Sequence, residues 1–199
     1  RNLLGGAERL RIEGEMGGIG GDTCGMDYRL SARYERPATF TPDTTFYLGA
    51  AAWEEDEPDY RERSGEFGGG FTHVFSDDLT GEAGVLYRYS EVDDDLGSRT
   101  LDHVMIPVSL TWDTRDGALD ATEGYFVDVD ATPFVGVAGS ESGGRLYLDT
   151  RAYYGFGKND RFVLAGRAQL GSVMGAEATE VPPSMLFYSG GAGTVRGQP

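Results

Sequence analysis

Apolar and polar residues alternate through most of this sequence, so that an apolar residue recurs at every second position. The clearest run is residues 104–113, in which Val, Ile, Val, Leu and Trp alternate with Met, Pro, Ser, Thr and Asp. Residues 7–16, 26–35 and 145–156 repeat the pattern, and no segment keeps a period of 3.6. Because successive side chains of a β-strand point to opposite faces, this period predicts an all-β chain.

The polar face of the predicted strands carries a charge at nearly every step, as in Arg9, Arg11, Glu13 and Glu15. Such a face would be out of place in the core of a β-sandwich. The solvated outer face of an antiparallel sheet accepts charges, and so does the water-filled interior of a membrane barrel. The alternation alone leaves both arrangements open.

The connections between the alternating runs differ on the two sides of the predicted sheet. Those on one side are acidic or glycine-rich and mostly long, namely 17–25, 54–66, 91–102, 136–144 and 176–199. Those on the other side are mostly shorter, namely 37–43, 76–80, 116–124 and 157–160. Long loops at one end and short turns at the other are typical of outer-membrane barrels. The sequence therefore favours an antiparallel transmembrane β-barrel.

Aromatic residues near the predicted strand ends fit this interpretation, because tyrosine and tryptophan are enriched at membrane–water interfaces. The residues expected to form these interfacial girdles are Tyr34, Trp53, Tyr89, Trp112 and Tyr154.

Composition and motifs exclude several other classes of protein. The formal net charge of −16 makes nucleic acid a poor partner. A single cysteine, Cys24, excludes an internal disulfide and any cysteine-rich metal site. Neither G-x-S-x-G nor H-E-x-x-H occurs, so no enzyme activity, metal or cofactor is expected. The isolated His103 is expected to be a surface or interfacial residue.

Three motifs carry a resemblance to a known family. Residues 1–10 (RNLLGGAERL) resemble a turn between two barrel strands. Asp113, Arg115 and Asp116, followed by Gly124, resemble a periplasmic turn. The closing run resembles an inward-folded loop with a Val-Arg-Gly motif, and its glycines and motif residues are Gly190, Gly191, Val195, Arg196 and Gly197. Together they are similar to the superfamily of BamA, TamA and two-partner-secretion transporters, with the opening motif in its TamA-like form.

The resemblance implies a 16-stranded outer-membrane barrel preceded by periplasmic POTRA domains. In that frame residues 1–199 form a single barrel domain of nine strands, the third to the eleventh, ending inside the sixth extracellular loop. The POTRA domains and the terminal strands would then be absent, so the sequence is expected to be a fragment of a longer protein.

The function implied by the resemblance is insertion or translocation of outer-membrane proteins, including autotransporters, with no bond chemistry. Client strands would be templated at a lateral seam of the barrel. Arg196 would lie inside the barrel, and its candidate lumenal partners in this sequence are Asp113, Asp128, Asp130 and Asp149.

The partners implied are outer-membrane lipids and lipopolysaccharide, client outer-membrane proteins, and a TamB-like protein that would bind the POTRA domains. The implied location is the bacterial outer membrane. The alternative function is a passive pore or receptor barrel.

Overall fold

The computed structural model describes residues 7–17, 26–158 and 160–187 of the chain. These residues form ten β-strands, followed by two single turns of 3-10 helix, η1 (Ala178–Glu180) and η2 (Pro183–Met185). No helix in this part of the chain is long and apolar enough to cross a membrane. The strands are β1 (Arg9–Met16), β2 (Tyr28–Arg36), β3 (Thr44–Glu57), β4 (Tyr60–Ser76), β5 (Leu79–Asp94), β6 (Gly97–Met105), β7 (Val108–Asp113), β8 (Glu123–Val137), β9 (Gly143–Phe156) and β10 (Phe162–Met174).

The ten strands form one antiparallel sheet in which neighbours in sequence are neighbours in space. β6 and β7 occupy one strand position, because both pair with β5 and β8 and only Ile106 and Pro107 separate them. Pro107 has no N–H to donate to a ladder, although its carbonyl still accepts from the Gly84 N–H at 3.0 Å. The sheet therefore has nine strand positions, as predicted. Among the described residues, β1 and β10 each pair on one side only.

One face of the sheet is apolar and exposed along its whole width. Ile12 on β1 has 66% of its surface exposed, Phe67 on β4 63%, and Leu164 on β10 68%. The opposite face carries the charged residues, several of which are buried, among them Glu62 and Asp149. In a soluble protein the apolar residues are mostly buried and the charged residues are mostly exposed. This reversal is that of a wall whose apolar side contacts lipid.

Contacts between distant strands show that the charged face is concave. Arg33 on β2 reaches Glu82 on β5 at 3.3 Å, although β3 and β4 lie between them. The Arg33 guanidinium also stacks 4.0 Å above the ring of Tyr47, whose hydroxyl lies over Gly70 and Gly84. A Cβ atom on either glycine would come within 2.7 Å of that hydroxyl, so the absence of side chains there allows the sheet to curl. The predicted barrel interior is thus the charged face.

Two of the predicted long loops are instead extensions of strands. β3 and β4 meet at a turn of only Pro58 and Asp59, and β5 and β6 meet at Asp95 and Leu96. The predictions of loops over 54–66 and 91–102 were therefore wrong. The outward face of both segments is polar, and Val92 and Leu101 are buried on the concave face of 91–102, so the alternation of the membrane-spanning strands is lost there. Cross-strand ion pairs such as Arg63 with Glu54 stabilise the hairpins.

The aromatic girdle prediction is wrong for Trp53. This ring lies on the concave face, only 5% exposed, between the guanidinium groups of Arg29 and Arg88 at 4.9 and 5.0 Å. Tryptophan is the preferred ring for such cation–π contacts, which keep it inside. The other four aromatic residues lie on strand positions of the apolar face, namely Tyr34, Tyr89, Trp112 and Tyr154.

The two faces predict opposite responses to a new charge on one strand. Val108 lies on the apolar face and Ser109 on the concave face, opposite Asp130. We expect Val108→Arg to cost up to about 4 kcal/mol, because an arginine on the lipid side of a strand is poorly solvated. Ser109→Arg is the matched control and should cost much less. Denaturant unfolding of the protein in lipid vesicles measures both, and equal costs would contradict the assignment of faces.

Candidate functional site

After β10 the chain turns back over the concave face. The turn is at Gly175, whose φ of +89° favours glycine and whose Cβ would lie 3.0 Å from the Cα of Gly143. Residues 175–187, which we call the stem, then pass through η1 and η2. They form the first half of the predicted inward-folded loop 176–199. The stem places non-strand backbone within the curve of the sheet.

Apolar side chains of the stem bury themselves against the concave face. Val181 is fully buried and Met185 is 2% exposed. They form a cluster with Met105 on β6 and Phe134 on β8, with Leu86 and Val173 packed at its margin. Burying an apolar side chain of this size contributes about 1.5–3 kcal/mol. The stem is therefore held inside the sheet by hydrophobic burial.

A buried carboxylate holds the centre of the stem. Glu62 on β4 is fully buried, and its two oxygens accept hydrogen bonds from Ser184. The Ser184 N–H donates to Glu62 Oε2 at 2.9 Å and the Ser184 hydroxyl to Oε1 at 2.8 Å. The Ser64 hydroxyl donates to Oε1 at 2.5 Å. Charge-assisted bonds of this kind are roughly twice as strong as neutral ones.

A second polar contact holds the end of the stem to β9. Arg145 Nε donates to the carbonyl of Met185 at 3.1 Å, and its guanidinium lies 4.3 Å above the ring of Phe187. The Phe187 ring also stacks on Tyr147, with centroids 5.9 Å apart, and covers Gly171 of β10. The stem thus spans from β4 to β9 across the opening of the sheet.

His103 lies among the residues next to the stem. The imidazole is fully buried and packs edge-on against Phe134, with ring centroids 5.1 Å apart. The expectation of a surface or interfacial residue was therefore wrong. The error arises because the apolar cluster that covers this end of β6 comes from a segment of the chain far away in sequence.

The four candidate carboxylates all lie on strand positions of the concave face, in different settings. Asp149 accepts from Arg151 and Arg167, both at 2.7 Å. Asp128 accepts from the Thr111 hydroxyl at 2.6 Å. Asp113 is paired with Arg115, whereas Asp130 makes no side-chain hydrogen bond or ion pair within the described ranges.

The Asp113–Arg115 motif closes the connection between β7 and β8. Arg115 Nε and Nη2 donate to the two oxygens of Asp113, each at 2.8 Å, and the guanidinium lies 4.8 Å above Phe126. These bonds with Asp113 raise the pKa of Arg115. A bidentate arginine–carboxylate pair fixes direction as well as distance, so the pair orients the start of the turn.

Asp116 and Gly124 close the other end of this turn. Asp116 accepts from the Thr122 hydroxyl at 2.6 Å and from the N–H groups of Thr122 and Glu123. Gly124 has φ +98°, and a Cβ there would lie 2.4 Å from the Thr114 carbonyl oxygen. The motif residues therefore come together in one turn, where they stabilise its conformation.

The closing motif lies outside the described residues. This applies to Gly190, Gly191, Val195, Arg196 and Gly197, and also to residues 1–6 of the opening motif. The residues that hold the stem were missed by the sequence analysis, namely Glu62, Ser184, Arg145 and Phe187. No local signal marks Glu62, because residues 61–64 (Arg, Glu, Arg, Ser) are polar on both faces and show no alternation.

Alanine in place of Gly124 tests the turn. We expect Gly124→Ala to destabilise the folded barrel by about 1–3 kcal/mol, since it combines a strained backbone with a steric clash. Gly117→Ala is the control within the same turn, because a Cβ there meets its nearest atom, the Asp120 carbonyl oxygen, at 3.5 Å. Denaturant unfolding measures both variants. The assignment fails if they lose equal stability.

The same turn predicts a specific pH dependence. The Thr122 hydroxyl and the N–H groups of Glu123 and Thr122 hold the pKa of Asp116 below its ordinary value of 3.8. A carboxyl whose pKa is lower in the folded than in the unfolded state stabilises the fold at pH values above the unfolded pKa. That stability is lost as the pH falls through the folded pKa. We therefore expect the difference in unfolding midpoint between wild type and Asp116→Asn to shrink on acidification from about pH 6 to pH 2. A constant difference would contradict this.

Comparison with known proteins agrees with this architecture. A model described as the Omp85 superfamily domain matches residues 2–198, almost the whole chain. No match was found among curated proteins. The family match confirms the predicted relationship to the superfamily that contains BamA and TamA. The chain belongs to the Omp85 superfamily, whose members are β-barrel proteins of the Gram-negative outer membrane.

Proposed function

We propose that this protein inserts or translocates client proteins by templating their β-strands at a lateral seam of its barrel. Omp85 proteins act in general as non-enzymatic factors for insertion or translocation of outer-membrane proteins. The observation that carries the proposal is the stem, which occupies the concave interior through Val181, Met185 and Glu62. A freely open pore would not need an apolar cluster in its lumen.

Templating at a seam follows from the requirements of backbone in lipid. An unpaired strand edge in hydrocarbon leaves N–H and C=O groups unsatisfied, at several kcal/mol each. A client strand that pairs with such an edge satisfies both chains at once. A seam that opens sideways would therefore attract a client β-strand without any bond chemistry.

Arg196 would hold the far half of the loop inside the barrel. Among the four candidate carboxylates, Asp130 is the best suited partner in this chain, because it has no side-chain partner within the described ranges. Asp113 and Asp149 are already paired with arginines, and Asp128 accepts from Thr111. Breaking a desolvated pair would cost about 3–5 kcal/mol.

The finer role that we propose is TamA-like, on the basis of the opening motif RNLLGGAERL. It includes autotransporters among the clients and a TamB-like partner bound through POTRA domains. Outer-membrane lipids and lipopolysaccharide would surround the apolar face, whose large side chains are exposed across the sheet.

Arg196→Ala tests the proposal in outer-membrane vesicles from cells that produce the full chain. We expect the barrel to fold, as judged by its heat-modifiable migration on gels. Residues 188–199 should become accessible to protease and client insertion should fall, because the loop loses its charged contact. Arg161→Ala, an exposed arginine immediately before β10, is the matched control. Unchanged protease access and insertion would favour a passive pore or receptor.

A further inference from the structure

We propose that Glu62 is a positioning residue, which docks the stem on the β3–β4 hairpin and so directs the rest of the loop into the barrel. The inference rests on the proposed function for its consequence in client insertion. Its structural part, the docking of the stem by one carboxylate, stands on the contacts of Glu62 alone.

Hydrogen bonds from the protein satisfy both oxygens of the Glu62 carboxylate. Burying a carboxylate costs free energy unless hydrogen bonds replace its lost hydration. Here the N–H and the hydroxyl of Ser184 and the hydroxyl of Ser64 donate to the two oxygens. The hydroxyl of Ser90, which is fully buried, lies 2.7 Å from that of Ser64. Two of the three donors to Glu62 therefore come from a single residue of the stem.

The position of Glu62 explains why the β3–β4 hairpin is extended. The neighbours of Glu62 on the outward face are Arg61 and Arg63, and the large apolar outward residues of β4 begin only at Phe67. Charged outward residues place this part of the hairpin beyond the hydrocarbon. The extension therefore carries Glu62 past the membrane-spanning part of the wall, to the level at which the chain leaves β10.

Glu62 and Arg145 hold the stem at two points of the sheet. β4 and β9 are four strand positions apart, roughly 19 Å along the sheet at the usual strand spacing. With Ser184 on Glu62 and the Met185 carbonyl on Arg145, consecutive residues of the stem are attached to opposite sides of the curve. This double attachment fixes the position of the stem within the curve of the sheet.

An open pocket borders the stem on the side of the β3–β4 and β5–β6 hairpins. A cavity of about 500 Å³ lies between the stem and the hairpins, lined by Tyr60, Asp94, Arg99, Thr179 and Leu186 among others. Hydrophobic burial holds the stem against the concave face, but it is non-directional and does not fix where along that face the stem lies. The polar bonds to Glu62 supply what the packing lacks.

Thiol labelling measures this docking directly. In a Cys24→Ser background, Val181→Cys places a reporter thiol at a fully buried position of the stem. The rate of its reaction with a membrane-impermeant maleimide follows how often the stem opens. We expect Glu62→Gln to raise that rate roughly tenfold, since glutamine keeps one acceptor oxygen and loses the charge. Ser184→Ala should raise it by a smaller factor.

Glu54→Gln is the matched control. Glu54 is also buried and lies on the same hairpin, but it bonds to Tyr28, Arg61 and Arg63 on the outward face. It should leave the labelling rate unchanged. If Glu62→Gln and Ser184→Ala both leave it unchanged in folded barrels, the docking role of Glu62 is overturned. If Glu62→Gln does not fold, the labelling rate of Ser184→Ala tests the docking instead, because this variant removes a donor to Glu62 on the stem.

The same variants separate this inference from the proposed function. Faster labelling of the reporter thiol together with reduced client insertion supports both. Faster labelling with normal insertion supports the docking by Glu62 and counts against a role of the loop in insertion. Normal labelling with reduced insertion overturns the docking and leaves the insertion function standing.

Discussion

The structure depends on one constraint, the pairing of every backbone N–H and C=O group where no water is available. Strand pairing satisfies these groups, and it makes successive side chains point alternately toward the lipid and toward the barrel interior. Charges can then be placed only on the interior side, where they must find partners. Arg88 with Glu66 at 2.6 Å, and Asp149 with two arginines, show how the wall satisfies them. Two of these pairs, Arg88 with Glu66 and Arg167 with Asp149, also join neighbouring strands.

Sequence alternation was sufficient to predict the strands and their faces, because side-chain period is a local property of a β-strand. The prediction failed where the structure depends on residues that are distant in sequence or lie outside the membrane. The β3–β4 and β5–β6 hairpins continue beyond the lipid with a polar outward face, so the contrast that marks the membrane-spanning strands is lost there. Glu62 and Ser184 are 122 positions apart, so the sequence around either residue does not indicate the hydrogen bond between them. Trp53 was misassigned because an interfacial tryptophan and one held between two arginines have the same local pattern.

The stem combines two kinds of contact that act differently. Val181 and Met185 supply burial, which is non-directional and tolerates sliding. Glu62 and Arg145 supply hydrogen bonds, which depend strongly on distance and angle. Burial keeps the segment inside the curve of the sheet, and the polar pair determines where within that curve it lies. A segment held in one position within the curve of the sheet requires both.

The interruption of one strand at Ile106 and Pro107 has a consequence for the pairing of the wall. Above it, β6 pairs with β8 over only four residues, 102–105 with 134–137, whereas below it β7 pairs over six. A proline in the wall removes a ladder bond at the boundary. The upper segment contributes Met105 to the cluster around the stem, and the lower one places Val108, Leu110 and Trp112 on the lipid side. The strand therefore has fewer ladder bonds at this boundary than on either side of it, while the Gly84 N–H on the Pro107 carbonyl and the Ile106 N–H on the Pro133 carbonyl keep the wall paired across it.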